Sequence, residues 1–131
     1  MAMRLALVLR AVLRLAAVGL CLKALGFTST QRWLLGRGLA QPDFGRNASE
    51  ARAADLAWAV SSATRVSHPR PACLTRSLAL WSLLRDEGIE SRVCFGARQV
   101  PAGLLAHAWV EVNGRVLNDD ADVAQRFPPL L

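Results

Sequence analysis

The stretch LLAHAWVEVNGRVLNDD, residues 104–120, decides the fold that this chain can adopt. Around His107, small apolar side chains at positions 106, 108, 110 and 112 alternate with larger or polar side chains at positions 105, 107, 109 and 111. This alternation is typical of a β-strand with two distinct faces. Asn113-Gly114 is a strong signal for a tight hairpin turn, and RVLND, residues 115–119, returns as the next strand. We therefore predict an antiparallel hairpin with a histidine on one strand and acidic residues at the end of the other.

A helix and a strand precede this hairpin. CLTRSLALWSLLRDEG, residues 73–88, places its apolar side chains at helical spacing, and Gly88 follows the last turn as a cap. IESRVCFGAR, residues 89–98, changes to an alternating pattern and predicts another strand. Further upstream, residues 47–50 have the spacing of a capping box, which begins a helix. Helices followed by a small antiparallel sheet predict an α+β fold.

The positive charge of the chain is concentrated in its first third. The 131 residues carry a formal net charge of +6, yet residues 1–42 contain six basic side chains and no acidic one, and the remainder has ten of each. A nucleic-acid-binding domain would spread its charge over a folded face, so this distribution argues against nucleic acid as a partner. We predict a basic amphipathic N-terminal helical segment, residues 1–45, followed by a core domain, residues 46–131.

The basic segment begins with MAMRLALVLRAVLRLAAVGLCLKALG, residues 1–26. Arg10 and Arg14 interrupt its apolar run, which argues against a signal peptide, and each would cost about 2.5–3.5 kcal/mol at the centre of a spanning helix. We expect instead an amphipathic helix ended by Gly26. Three roles stay open for it: packing on its own domain, docking to a partner protein, or peripheral contact with a membrane surface.

The three cysteines, Cys21, Cys73 and Cys94, are an odd number without metal-ligand spacing. They give no support for a disulfide scaffold or a zinc site, and the sequence indicates no metal and no cofactor. This pattern suits a reducing cytoplasm. Cys73 is distinct because it stands at the predicted N-terminus of a helix, where backbone N–H groups and the positive helix end would stabilise a thiolate or an oxyanion.

His107 lies in mid-strand, and Asn118-Asp119-Asp120 follows it across the turn. A carboxylate on the neighbouring strand is what a catalytic histidine needs to fix its tautomer. A two-residue turn would place Asp120 opposite His107, whereas a three-residue loop would place Asp119 there, and the residues alone leave both open. A cysteine at a helix start, with a histidine and an aspartate on adjacent strands, is the layout of papain-like and transglutaminase-like thiol enzymes.

The chain resembles the leader peptidases of lasso peptide biosynthesis, the B proteins, over about residues 53–130. The resemblance rests on Cys-Leu-Thr-Arg-Ser-Leu-Ala-Leu, which begins at Cys73, and on His-Ala-Trp-Val-Glu-Val, which begins at His107. It implies a transglutaminase-like (papain-like) core in which Cys73 is the nucleophile, His107 the base and Asp119 the third member of a triad. By that assignment it favours the three-residue loop.

The resemblance also implies the partners. Family members with a fused recognition domain are longer, so we expect the split form, in which a separate leader-recognition protein captures the lasso precursor peptide. An asparagine synthetase-like lasso cyclase would take the released core. Two alternatives stay open: a transglutaminase-type thiol acyltransferase, and a non-catalytic adaptor on the same fold. We expect a cytoplasmic protein, with peripheral membrane contact through residues 1–26 as a further alternative.

Overall fold

A computed structural model of the chain describes residues 2–35 and 46–129. Three long helices precede a three-stranded antiparallel sheet of order β1-β2-β3, and a short helix follows it. The elements are α1 (Ala2–Leu35), α2 (Arg46–Val66), α3 (Cys73–Asp86), β1 (Arg92–Val100), β2 (Gly103–Val112), β3 (Arg115–Val116) and α4 (Val123–Arg126). The predicted α+β fold, with helices first and the sheet after them, is confirmed.

α1 is broken at Gly26, whose φ of 81° and ψ of 176° are not helical. Side chains with a Cβ rarely adopt such a positive φ, so the glycine lets the chain change direction between two helical segments. The end of the first helix at Gly26, predicted from the sequence, is therefore confirmed. The predicted boundary at residue 45 lies outside the described residues and stays a prediction.

One hydrophobic core joins the three long helices to one face of the sheet. Ala11, Leu15 and Val18 of α1 are at most 3% exposed and belong to the same cluster as the buried residues of α2 and α3. Val110 and Val112 of β2 complete this cluster. α1 therefore packs on its own chain along one face, which is one of the three roles that the sequence leaves open.

Arg10 and Arg14 of α1 are paired with acidic residues at the C-terminal end of α3. Arg10 Nη1 donates to Glu87 Oε2 at 2.7 Å, and Arg14 Nη2 donates to Asp86 Oδ2 at 2.6 Å. Arg52 of α2 donates to Glu87 Oε1 at 2.6 Å. Burial alone would raise the pKa of Glu87, but the hydrogen bonds from Arg52 and Arg10 hold that pKa below its ordinary value. Glu87 thus ties α1 and α2 to the end of α3.

The outward face of α1 is apolar. Leu5, Leu9, Leu13 and Leu20 are each more than half exposed. By length and composition alone, Met3–Gly26 is able to cross a membrane, a property that core helices of soluble proteins and signal sequences share. The exposed leucines therefore leave the roles in partner docking and membrane contact open beside the packing role.

Candidate active site

α3 begins at Cys73, a half-buried free thiol. Ala72 precedes it in an extended conformation, and its carbonyl accepts the Arg76 backbone N–H at 3.0 Å, which closes the first helical turn. Within the described part of the chain, no side chain caps this end of α3. The first backbone N–H groups of the helix are therefore available to an anion that forms next to the Cys73 sulfur.

His107 lies in the middle of β2, paired with Gly96 of β1. The imidazole is flanked by two aromatic rings, with centroid distances of 4.8 Å to Phe127 and 6.2 Å to Trp109. A Cβ on residue 96 would lie 2.2 Å from the Phe127 carbonyl oxygen, so the absence of a side chain at Gly96 allows the C-terminal segment to pack this closely. The His107 side chain is 21% exposed, so it is held by packing and still accessible.

Asp119 lies beside the imidazole, and His107 Nε2 forms a hydrogen bond with Asp119 Oδ2. The other carboxylate oxygen accepts the Asp120 backbone N–H at 2.7 Å and Arg126 Nη2 at 3.3 Å. Burial would raise the pKa of Asp119, but the hydrogen bonds from His107 and from the Asp120 backbone, together with the positive charge of Arg126, hold it below its ordinary value. The ionised carboxylate accepts the Nε2 proton, which leaves Nδ1 as the basic nitrogen of a neutral His107.

The hairpin loop has two residues rather than three. Val112 pairs with Arg115, and residues 113 and 114 have positive φ values of 52° and 76°, as a type I′ turn requires. The three-residue loop that the family resemblance favours is therefore wrong. A regular continuation of the observed register would set Asp120, not Asp119, opposite His107.

Asn118 explains why Asp119 nevertheless reaches His107. The Val110 backbone N–H donates to Asn118 Oδ1 at 2.8 Å, so a side-chain oxygen takes the place of a backbone carbonyl in the ladder. β3 ends at Val116, although the Leu117 backbone N–H still donates to the Val110 carbonyl at 3.0 Å, so the regular pairing stops after Leu117. The predicted contact between His107 and Asp119 is thus present for a reason other than the loop length.

Asn118 also connects the hairpin to α3. Its Nδ2 donates to Ser77 Oγ at 3.2 Å, and Ser77 is fully buried one turn after Cys73. The N-terminal turn of α3 therefore lies next to the segment that carries Asp119. Among the described residues, Cys73 Sγ has no hydrogen-bond partner. Catalytic hydrogen bonds are often long without substrate and tighten when it binds.

Sequence reasoning gave no role to three contacts of this site, those of Asn118, Arg126 and Phe127. Of these three residues, only Asn118 could have been linked to the site from the sequence, because it directly precedes Asp119. Arg126 and Phe127 come from a C-terminal segment without a periodic pattern, so their positions depend on tertiary packing. In the described residues, no group of three or more His, Cys, Asp or Glu side chains is arranged to hold a metal ion.

Two comparisons relate the chain to known proteins, and the match to a family model identifies its family. The model of the transglutaminase-like superfamily matches residues 15–131. Over 55 residues the chain is 43% identical to the microcin J25-processing protein McjB of Escherichia coli, a match that covers 42% of this chain and 26% of that relative. The chain thus spans about a quarter of the length of this curated relative. No solved structure matches it. From Leu15 to its last residue, this chain belongs to the transglutaminase-like superfamily.

Proposed function

We propose that this protein is a cysteine peptidase that removes the leader from a lasso precursor peptide. Cys73 is the nucleophile, His107 the base and Asp119 the third member of the triad. The hydrogen bond between His107 and Asp119 carries the proposal, because it orients the imidazole, and Asn118, which precedes Asp119, contacts the helix turn that begins with a free cysteine. The similarity to the microcin J25-processing protein supports the class of substrate.

The proposed reaction passes through a thioester. His107 Nδ1 accepts the Cys73 thiol proton, and the thiolate attacks the carbonyl carbon of the leader–core peptide bond. The uncapped N-terminus of α3, with the Cys73 backbone N–H among its donors, stabilises the oxyanion. The imidazolium then protonates the departing core amine, and the leader stays bound as a thioester. Water, deprotonated by the same imidazole, hydrolyses the thioester and releases the leader and the thiol.

The proposed partners follow from the family resemblance. A separate leader-recognition protein presents the precursor, and an asparagine synthetase-like cyclase uses the amine that cleavage frees. The enzyme works in the cytoplasm and needs no metal or cofactor for these steps. The exposed leucines of α1 supply the surface for a partner protein, with a membrane surface as the alternative.

Product masses test this function. Precursor incubated with the protein and the recognition protein should yield a leader with a free carboxylate and a core with a new N-terminal amine. His107→Ala should abolish both products, because no base then activates the thiol. The same products at an unchanged rate from His107→Ala would contradict the proposal.

Acyl transfer is the second candidate, favoured by the match to the transglutaminase-like superfamily. In that reaction an amine, rather than water, takes the acyl group from the thioester. Cleavage in the presence of an added primary amine distinguishes the two reactions. Hydrolysis leaves the leader mass independent of the amine, whereas transfer yields a leader amide that carries it.

A further inference from the structure

An open cavity of about 560 Å³ lies between α2, the beginning of α3 and β3. Its apolar lining includes Ala53 and Ala57 of α2 and Val112 of β2. Four arginines from different parts of the chain also line it: Arg65, Arg70, Arg76 and Arg115. Neither Cys73 nor His107 belongs to the lining, so this arginine cavity is distinct from the candidate triad.

Among the described residues, the cavity arginines lack the carboxylate partners that several other arginines of the fold have. Arg10 and Arg92, for example, each have a carboxylate oxygen within 3.2 Å. Within the described part of the chain, none of the four cavity arginines has a carboxylate at ion-pair distance. Arg65 donates to Ser62 Oγ at 3.3 Å, and the buried Nε of Arg76 has no hydrogen-bond partner among the described residues.

These guanidinium groups without a carboxylate partner make the cavity suited to an anionic group. Arg76, whose buried Nε has no partner among the described residues, gains free energy when a carboxylate enters and accepts its planar N–H donors. The exposed Arg65, Arg70 and Arg115 add positive charge around it. Glu50 is the carboxylate in the described lining, and its Oε1 accepts Asn113 Nδ2 at 3.3 Å. Because Glu50 can neutralise at most one of four positive charges, the cavity keeps an excess of positive charge.

The arginine cavity adjoins the candidate active site through two residues. Arg76 stands three positions after Cys73 on α3, and Asn118, which lines the cavity, directly precedes Asp119. We propose that the cavity binds an acidic side chain, Asp or Glu, of the peptide that is cleaved at Cys73. The identity of that peptide rests on the proposed function, whereas the binding of a carboxylate needs no catalysis.

Binding of two model peptides tests the proposal without turnover. Fluorescein-labelled hexaglutamate and hexaglutamine are each titrated with the full chain, and fluorescence anisotropy gives the two Kd values. We expect hexaglutamate to bind at least about tenfold more tightly, because each charge-assisted hydrogen bond is about twice as strong as a neutral one. Equal affinities of the two peptides would overturn the proposal.

Charge-matched variants separate a site from the overall positive charge. Arg70→Gln and Arg115→Gln, both at exposed positions, should each weaken hexaglutamate binding by about threefold to tenfold. Arg92→Gln removes the same charge outside the cavity lining and should change the Kd by less than about twofold. Equal weakening by all three variants would show attraction by net charge alone and overturn the site.

Competition and thiol alkylation define the ligand. At constant ionic strength acetate should displace hexaglutamate; displacement by inorganic phosphate but not by acetate would overturn the assignment to a carboxylate. Hexaglutamate should also slow the alkylation of Cys73 by iodoacetamide relative to Cys94, and Arg115→Gln should remove this protection. Binding without protection would contradict the link to the cleaved peptide. A chain that binds hexaglutamate but never cleaves precursor would refute the peptidase function and leave the carboxylate site in place.

Discussion

His107 and Asp119 are joined by a hydrogen bond, although regular strand pairing would set Asp120 opposite the histidine. Asn118 causes the difference, because its side-chain oxygen accepts the Val110 backbone N–H and interrupts the ladder. The carboxylate that reaches the imidazole is therefore selected by a side chain beyond the turn and not by the length of the turn itself.

Replacing each of the two neighbouring aspartates separates their roles. Asp119→Ala should lower the rate of precursor cleavage by at least about tenfold, because no side chain then accepts the His107 Nε2 proton or stabilises the imidazolium. Asp120→Ala should change the rate by less than about fivefold, since its side chain is 78% exposed and contacts Arg126. Single-turnover cleavage measures both rates. Similar losses in the two variants would contradict the role of Asp119.

The close packing of the C-terminal segment on the sheet makes Gly96 sensitive to substitution. Gly96→Ala should lower the free energy of unfolding by about 1–3 kcal/mol, because the new Cβ would lie 2.2 Å from the Phe127 carbonyl oxygen. Gly19→Ala in α1 is the control: its Cβ would lie 3.7 Å from Thr75 Cγ2, and alanine should stabilise the helix by about 0.5–1 kcal/mol. Urea denaturation measures both, and an unchanged midpoint for Gly96→Ala would refute the close packing.

Two leucines on opposite faces of α1 test whether this helix belongs to the core. Leu15→Ala should destabilise the chain by about 2–5 kcal/mol, because Leu15 is 3% exposed and packs in the main cluster. Leu13→Ala should change the free energy of unfolding by less than about 0.5 kcal/mol, since Leu13 is 71% exposed. Equal effects in urea denaturation would mean that α1 does not pack as described.

The ion pairs of Glu87 predict a loss of stability in acid. Because its pKa in the folded state lies below the ordinary value of 4.5, the unfolded chain binds a proton more readily. The stabilisation is therefore complete above that value and is lost as the pH falls through the lowered pKa. Glu87→Gln should lower the free energy of unfolding by about 1.5–3 kcal/mol near neutral pH. It should also make that free energy fall less steeply as the solution is acidified. A decrease in acid identical to that of the wild type would contradict this role.

Local patterns predict most of the fold because they depend on neighbours in sequence. Helical spacing after Cys73, alternation around His107 and the Asn113-Gly114 turn each appear as the sequence predicts. Local patterns do not predict which residues far apart in the sequence will contact each other. Arg10 pairs with Glu87 across 77 positions, and charge counted by segment gives no indication of such a partner.

The candidate site likewise combines features that local sequence predicts with features that depend on contacts between distant residues. The proximity of His107 to residues 118–120 follows from one hairpin, but the choice of Asp119 depends on the ladder bond of Asn118. Phe127 packs on His107 from a segment that lacks any periodic pattern, so only tertiary packing places it. The arginine cavity likewise gathers residues from α2, the following loop, α3 and β3, which no single stretch of sequence reveals.

Precursor cleavage by Cys73→Ala, with the leader-recognition protein present, tests the nucleophile most directly. Cys94→Ala is the matched control, because Cys94 is another half-buried free thiol, and burial raises its pKa. We expect no leader release from Cys73→Ala and a rate close to that of the wild type from Cys94→Ala. Release of the leader by Cys73→Ala at the wild-type rate would contradict a peptidase built on Cys73.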